Sequence, residues 1–92
     1  MIAGFKHRGL KKFFETGTKR GIPAAQAGRI RLILSRLDAS VRARDMNLPG
    51  LHLHELTGRR KGTWSVRVTG NWRITFLFDG ADAANVDLED YH

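Results

Sequence analysis

The sequence has 92 residues, of which 16 are Lys or Arg and 9 are Asp or Glu, so its formal net charge is +7. This length predicts a single domain over residues 1–92, with one modest core and little room for a large enclosed pocket. The absence of cysteine excludes disulfides and thiol nucleophiles, and the pattern of apolar residues predicts neither a signal peptide nor a membrane span.

The positive charge is concentrated in the first two-thirds of the chain. Residues 1–61 hold 14 basic and 4 acidic side chains, whereas residues 62–92 hold 2 basic and 5 acidic ones. A basic surface attracts polyanions at long range, and nucleic acid is the most common of these in a cell. Taken by itself, the positive charge is explained equally well by a solvated surface that binds no ligand.

Two short helices are predicted in the N-terminal half. Leu10, Phe13 and Phe14 have the spacing of one helical face, and Gly17 follows where a helix often ends. Pro23 suits the first turn of a second helix, whose apolar face extends to about residue 38. The basic side chains on the other flanks of this helix are expected mainly to keep it solvated. They are Arg29, Arg31 and Arg36.

After residue 50 the period of the apolar residues changes to two, which is the period of a strand. The predicted strands cover residues 51–56, 64–69, 72–78 and 84–88. The first five residues could supply another strand. The sequence therefore predicts an α+β fold with two N-terminal helices packed on a small, mainly antiparallel β-sheet.

The hairpin between the second and third of these strands has two possible registers. A two-residue turn would place Arg73 on the core face opposite Val68, whereas a three-residue loop pairs Val68 with Trp72. We expect the second register because it keeps arginine out of the core. It puts Arg67 opposite Arg73 on the non-core face, where an anion would relieve their repulsion. Two arginines pointing into water are the alternative.

Further polar residues share the arginine face or lie near it. Alternation along residues 51–56 points His52 and His54 to that face and the leucines to the core. A basic loop follows, formed by Arg59, Arg60 and Lys61. The last residues of the sequence are Glu89, Asp90, Tyr91 and His92.

The alternation of the last strand restricts which of these final residues reach the arginines. Continuing the alternation of Val86 and Leu88 would point Asp90 and His92 at the core and Tyr91 at the arginines. A site that uses all three therefore requires the strand to end or twist near Glu89.

These residue types suit cleavage of RNA without a metal. That reaction needs a base for the 2′-hydroxyl, an acid for the leaving 5′-oxygen and cations for the charge on the phosphate. Histidine transfers protons near neutral pH, and the arginine fork matches two phosphate oxygens. Tyr91 could stack on a base or donate its hydroxyl, and Asp90 could orient an imidazole or act as a base.

Other chemistries have less support in the sequence. It contains no phosphate-binding loop of the Gly-Lys-Ser/Thr type and no Gly-x-Ser-x-Gly elbow. A metal held by histidines and Asp90 would have unfamiliar ligand spacing in a basic neighbourhood, so we expect no metal and no cofactor.

Residues 64–68 and 71–76, together with the closing Glu89-Asp90-Tyr91-His92, resemble the HigB branch of the RelE/ParE toxin superfamily. The resemblance also includes residues 5–10 and 53–56, so it spans nearly the whole chain. The final Asp-Tyr-His is its most specific element. The resemblance implies a microbial-ribonuclease-like, RelE-like fold, and it implies that the protein is the toxin of a type II toxin–antitoxin system.

The activity implied by the resemblance is that of a ribosome-dependent endoribonuclease. This enzyme would cut translated mRNA in the ribosomal A site, through 2′-hydroxyl attack that gives a 2′,3′-cyclic phosphate. The implied catalytic residues are His54, Asp90, Tyr91, His92 and Arg73. The residues expected to bind RNA or the ribosome are Arg67, Arg59, Arg60 and Lys61. The implied partners are a helix-turn-helix antitoxin, the ribosome and mRNA, in the cytoplasm and without membrane binding.

Some members of the HigB branch carry lysine where this sequence has Thr57, so here the basic loop would supply part of the cationic charge.

Two other functions remain compatible with the sequence. A non-catalytic inhibitor like the gyrase-poisoning ParE branch is the main alternative. A basic nucleic-acid-binding module without activity is another, but it leaves the Asp90-Tyr91-His92 ending unexplained.

Overall fold

The computed structural model describes residues 1–91 and arranges them as two α-helices followed by an antiparallel sheet. The helices are α1 (Arg8–Thr16) and α2 (Ala27–Ala39). The strands are β1 (His54–Glu55), β2 (Trp64–Arg67), β3 (Trp72–Asp79) and β4 (Asp82–Asp90), in the order β1-β2-β3-β4. The predicted α+β fold is therefore confirmed.

Local capping chemistry sets both ends of α1. The Nδ1 atom of His7 accepts a hydrogen bond of 3.0 Å from the backbone N–H of Leu10, which satisfies one free donor of the first turn. Gly17 ends the helix with a φ of 80°, a left-handed conformation that glycine adopts without steric cost. The predicted end of the first helix is confirmed.

The second α-helix begins later than Pro23 predicts. Pro23 precedes a short 3₁₀ helix, Ala24–Gln26, and α2 starts only at Ala27. Gln26 has φ −104° and ψ 3°, which departs from α-helical geometry and separates the two segments. The predicted apolar face of α2 is buried as expected, from Ala27 to Leu37.

The hairpin between β2 and β3 has the register that keeps arginine out of the core. Val66 pairs with Ile74 and Arg67 pairs with Arg73. The backbone N–H of Val68 donates to the carbonyl of Trp72 at 2.9 Å, across a three-residue loop. This register, predicted from the sequence, is confirmed.

The first strand is much shorter than predicted, because only His54–Glu55 belongs to β1. His52 has a φ of 50°, in the left-handed region, which interrupts the extended backbone just before the strand. Leu51 still accepts a 2.7 Å hydrogen bond from the N–H of Arg67, so the segment remains attached to β2.

The last strand is longer than predicted and contains a β-bulge. Asn85 has a φ of 52°, and the register shifts between Thr75 and Leu77 on the neighbouring strand. The extra residue allows Ala83 and Val86 to face the core together. The strand ends at Asp90, one residue beyond Glu89, but Asp90 keeps its ladder partner Trp72 and does not turn toward the arginines.

The first five residues form two isolated bridges rather than a strand. Ile2 bridges to Ala83 and Phe5 bridges to Val86, both parallel to β4. The bulge at Asn85 lies between the two bridges and prevents a continuous ladder.

One hydrophobic cluster joins both helices to one face of the sheet. Its fully buried members include Leu10, Ile30, Leu34, Leu37, Val66, Ile74, Phe76 and Val86. Arg29 of α2 is partly buried and hydrogen-bonds the carbonyl oxygens of Val68 and Gly50, so it ties the helix to the end of β2 rather than only solvating it. Within residues 1–91, the helices are too short and too polar for a transmembrane segment.

Candidate active site

The sheet face that points away from the helices carries the charged and polar residues predicted for the site. Arg67 on β2 lies opposite Arg73 on β3, and Arg73 in turn pairs with Glu89 on β4. The neighbouring row of cross-strand partners consists of His54, Ser65 and Thr75. Alternation along each strand places both rows on the same face.

The basic loop contributes Arg60 to this face through a bidentate ion pair with Glu89. The two guanidinium nitrogens of Arg60 donate to the two carboxylate oxygens of Glu89 at 2.8 and 2.6 Å. Thr75 is buried and donates its hydroxyl to the same carboxylate at 2.6 Å. Such fork-to-fork pairs are short and directional, so the guanidinium of Arg60 is fixed above the sheet.

The ion pair changes the protonation equilibria of both partners. Hydrogen bonding from Arg60 lowers the pKa of Glu89 below its ordinary value, and the hydroxyl of Thr75 and the charge of Lys6 add to this effect against partial burial. The hydrogen bond to Glu89 raises the pKa of Arg60, and the side chain of Tyr91 contributes in the same direction. Both groups therefore stay charged near neutral pH.

Arg73 and Tyr91 are in contact at the end of the sheet. The guanidinium carbon of Arg73 lies 5.8 Å from the centre of the Tyr91 ring, a distance typical of cation–π contacts. One Arg73 nitrogen donates to the carbonyl of Gly70 at 2.7 Å, and the N–H of Tyr91 donates to the carbonyl of Asn71 at 2.9 Å. The hairpin loop therefore positions both side chains.

Arg67, Arg59 and Lys61 are exposed to solvent. Arg67 shares the face of Arg73, whereas Arg59 and Lys61 lie on the loop that contains the short 3₁₀ helix Gly58–Arg60. The carboxylate of Glu55 accepts a 2.9 Å hydrogen bond from the N–H of Gly62, which anchors the end of this loop. The loop thus presents two exposed cations beside the ion-paired Arg60.

His54 lies at the edge of the same face. Its side chain is exposed, and its Nδ1 atom is 3.3 Å from the carbonyl oxygen of His52. Its cross-strand partner Ser65 is fully buried, and the hydroxyl of Ser65 has no hydrogen-bond partner within the described residues. The imidazole of His54 is therefore open to water, and its cross-strand partner carries a buried hydroxyl.

Asp90 is not on the arginine face. It pairs with Trp72, whose side of β3 is opposite to that of Arg73, and its side chain is exposed at the end of β4. The alternation argument made from the sequence correctly put Tyr91 beside Arg73 and kept Asp90 off the arginine face, but Asp90 is exposed rather than directed into the core. His92 lies outside the described residues.

The structure brings together Arg73, Tyr91 and Arg60, and places Arg67 and His54 on the same sheet face. Sequence reasoning missed the role of Glu89 and Thr75 in holding Arg60. Glu89 directly follows the core-facing Leu88, and Thr75 lies two residues after Arg73, so alternation would have put both on this face. Among residues 1–91, no group of three or more His, Asp or Glu side chains is arranged to hold a metal ion.

Comparison with known proteins identifies the family. Residues 3–92 match a family model described as the RelE-like toxin of the type II toxin–antitoxin system HigB. The chain is also 45% identical, over all 92 residues and the full length of both proteins, to a Proteus vulgaris protein named Endoribonuclease HigB. The chain therefore belongs to the HigB-like family of RelE-like toxins, which act in type II toxin–antitoxin systems together with an antitoxin partner.

Proposed function

We propose that this toxin is an endoribonuclease that cleaves translated mRNA in the ribosomal A site. The observation that carries the proposal is the contact between Arg73 and Tyr91 on a cationic sheet face, with Arg60 fixed nearby. The full-length similarity to a protein named Endoribonuclease HigB favours cleavage over the non-catalytic inhibition of a target such as gyrase.

The reaction that suits these residues is an in-line transesterification. The 2′-oxygen attacks the adjacent phosphorus while the bond from phosphorus to the 5′-oxygen breaks. A base takes the proton of the 2′-hydroxyl, and an acid gives a proton to the departing 5′-oxygen. The products are a 2′,3′-cyclic phosphate and a 5′-hydroxyl, and no metal or cofactor takes part.

We assign a chemical role to each candidate residue. Arg73, with Arg67 opposite, would stabilise the charge that gathers on the phosphate in the transition state. Tyr91 would stack on a base beside that phosphate. His54 and His92 are proposed for proton transfer, and Asp90 for orienting an imidazole, since its side chain points away from Arg73.

The family implies an antitoxin, and we propose a small helix-turn-helix protein in that role. The ribosome and mRNA are the further proposed partners, which places the action of the toxin in the cytoplasm. The exposed Arg59 and Lys61 would bind RNA at the edge of the site.

A purified translation system with a defined mRNA tests the proposal. New 5′-ends should appear only when toxin, mRNA and translating ribosomes are all present, and they should carry a 5′-hydroxyl. Cuts without ribosomes would contradict the ribosome dependence. An intact mRNA, together with inhibited DNA supercoiling by gyrase, would favour the ParE-like alternative.

Arg73→Ala should reduce the single-turnover cleavage rate by about 10²- to 10³-fold while ribosome affinity changes little, because the phosphate charge develops in the transition state. Arg44→Ala removes one exposed arginine outside the sheet, in the 3₁₀ helix Ala43–Met46, and is the matched control. His92→Ala, measured in parallel, tests the proton-transfer role. A full rate for Arg73→Ala would place this residue outside the site.

A further inference from the structure

A second concave basic surface lies on the helical side of the protein. It is a groove of about 430 Å³ between α1 and the segment that follows it, and we call it the helix groove. Its lining consists of Arg8, Gly9, Lys12, Thr16, Thr18, Arg20 and Gly21. None of these residues belongs to the candidate active site.

The helix groove faces away from the core. Arg8, Lys12 and Thr16 follow one another at intervals of about one helical turn, whereas Leu10 and Phe13 of the same helix are buried against the rest of the cluster. The apolar side of α1 therefore packs into the core that it shares with the sheet, and its basic side faces solvent.

A backbone contact fixes the two walls of the helix groove. A Cβ atom added to Gly9 would lie 2.3 Å from the carbonyl oxygen of Gly21, and one added to Gly21 would lie 2.6 Å from the Cα of Gly9. The chain segments can approach this closely only because both residues are glycine. The contact sets the distance between the backbone segments that carry Arg8 and Arg20.

The charge in the helix groove is uncompensated. Arg8, Lys12 and Arg20 are exposed, and no ion pair or side-chain hydrogen bond within residues 1–91 involves their charged groups. By contrast, Arg29 and Arg60 are hydrogen-bonded to protein groups. Three free cations around one depression attract an anion with several charges.

The lining chemistry distinguishes between nucleic acid and protein as the ligand. The helix groove has arginine, lysine and threonine side chains and bare glycine backbone, but no large apolar side chain. Protein interfaces need buried apolar or aromatic anchors at their centre, whereas phosphate contacts are made by the groups present here. A separate cavity of about 240 Å³ is lined partly by large apolar side chains, Leu32 and Leu48, of a kind that the helix groove does not contain.

We propose that the helix groove binds the phosphate backbone of a double-stranded RNA segment of the ribosome, on the side opposite the cleavage face. The inference rests on the proposed function, because the ribosome supplies such RNA. Arg8 and Arg20 each contact a phosphate, and Lys12 adds charge between them. This second contact adds affinity for the ribosome, whereas the sheet face contacts the mRNA.

The test compares two variants that lose the same charge. Arg8→Gln/Arg20→Gln alters the helix groove, and Arg36→Gln/Arg44→Gln removes two exposed arginines elsewhere. The probes are a short fluorescein-labelled RNA duplex of mixed sequence and purified ribosomes. Binding is measured by anisotropy or sedimentation over a range of salt concentrations, with urea unfolding as the check on folding.

The groove variant should bind about 10- to 100-fold more weakly at moderate salt, and its slope of log affinity against log salt should fall by about 2. Its cleavage rate at saturating ribosome concentration should equal that of the parent. The control should show a much smaller change, and Arg8→Lys/Arg20→Lys should recover most of the binding, since phosphates accept either cation.

Three results would overturn the inference. The first is a groove variant that keeps the parental salt slope. The second is a control that loses as much affinity as the groove variant, because net charge alone would then explain the loss of affinity. Lost co-purification with the antitoxin, without a change in RNA binding, would make the groove a protein-binding surface. If the parent binds duplex RNA through Arg8 and Arg20 but never cuts mRNA on ribosomes, the proposed function fails and the groove stands.

Discussion

At the scale of single residues, Glu89 is the acidic residue that organises the cationic sheet face. It receives two hydrogen bonds from Arg60 and one from Thr75, and it sits across the strand from Arg73. A carboxylate here reduces the mutual repulsion of the arginines while it fixes the position of one of them. The guanidinium of Arg60 is therefore already oriented above the face on which we propose that the phosphate binds.

We expect Glu89→Gln to lower the free energy of unfolding by about 1 kcal/mol near neutral pH, since the pair is charged but partly exposed. The lowered pKa of Glu89 means that its stabilisation is complete above the ordinary value of 4.5 and is lost as the pH falls through the lower, folded-state value. Urea unfolding of both proteins over a pH series measures the difference.

The control for this experiment is Asp79→Asn, which removes an exposed carboxylate at the other end of β3. It should change stability little at any pH. A stability difference between the parent and Glu89→Gln that stays constant down to the most acidic pH would show that ionisation of Glu89 contributes nothing.

At the scale of secondary-structure elements, the position of α1 depends on one close backbone contact. His7 and Gly17 determine where the helix begins and ends, but the contact of Gly9 with Gly21 determines how closely the following segment packs on it. Capping is a local property, whereas this contact joins two segments that are separated by a turn.

Gly9→Ala should destabilise the protein by about 1–3 kcal/mol, because the added methyl group would overlap the backbone of Gly21. Gly28→Ala is the matched control: this glycine lies in α2 with no atom within 4 Å of the added Cβ. That variant should gain about 0.5–1 kcal/mol, since alanine favours the helix. If the urea midpoints showed an equal loss of stability for both variants, the packing argument would be refuted.

At the scale of the whole molecule, basic charge is exposed on two sides of the core. The sheet face and its loop carry Arg67, Arg59 and Lys61, whereas the helix groove carries Arg8 and Arg20. For the ribosome binding that we propose, charge on two sides would add affinity for the polyanion.

Removing Arg59 and Lys61 together should weaken binding of single-stranded RNA. The slope of log affinity against log salt should fall by about 1 to 1.5, because fewer phosphate contacts form and fewer counterions are released on binding. The substitutions Arg59→Gln/Lys61→Gln leave the Arg60–Glu89 pair intact. A 2′-O-methyl oligonucleotide is the probe, since it lacks the attacking hydroxyl and stays uncut. An unchanged slope would exclude the loop from RNA binding.

The sequence determined the order of the elements, the end of α1 and the register of the β2–β3 hairpin. These follow from short-range rules: helical and strand periodicity, the left-handed preference of Gly17 and the high cost of burying Arg73. The same alternation also placed Tyr91 beside Arg73 and kept Asp90 away from it.

Only the tertiary structure decided the features that join distant parts of the chain. The bulge at Asn85, the Gly9–Gly21 contact and the pairing of Arg60 with Glu89 each depend on segments that meet in space after folding. Periodicity specifies which face a side chain occupies, but not which partner, many residues away, lies across from it. The cationic face could therefore be predicted from the sequence, whereas the carboxylate that holds its arginine in place could not.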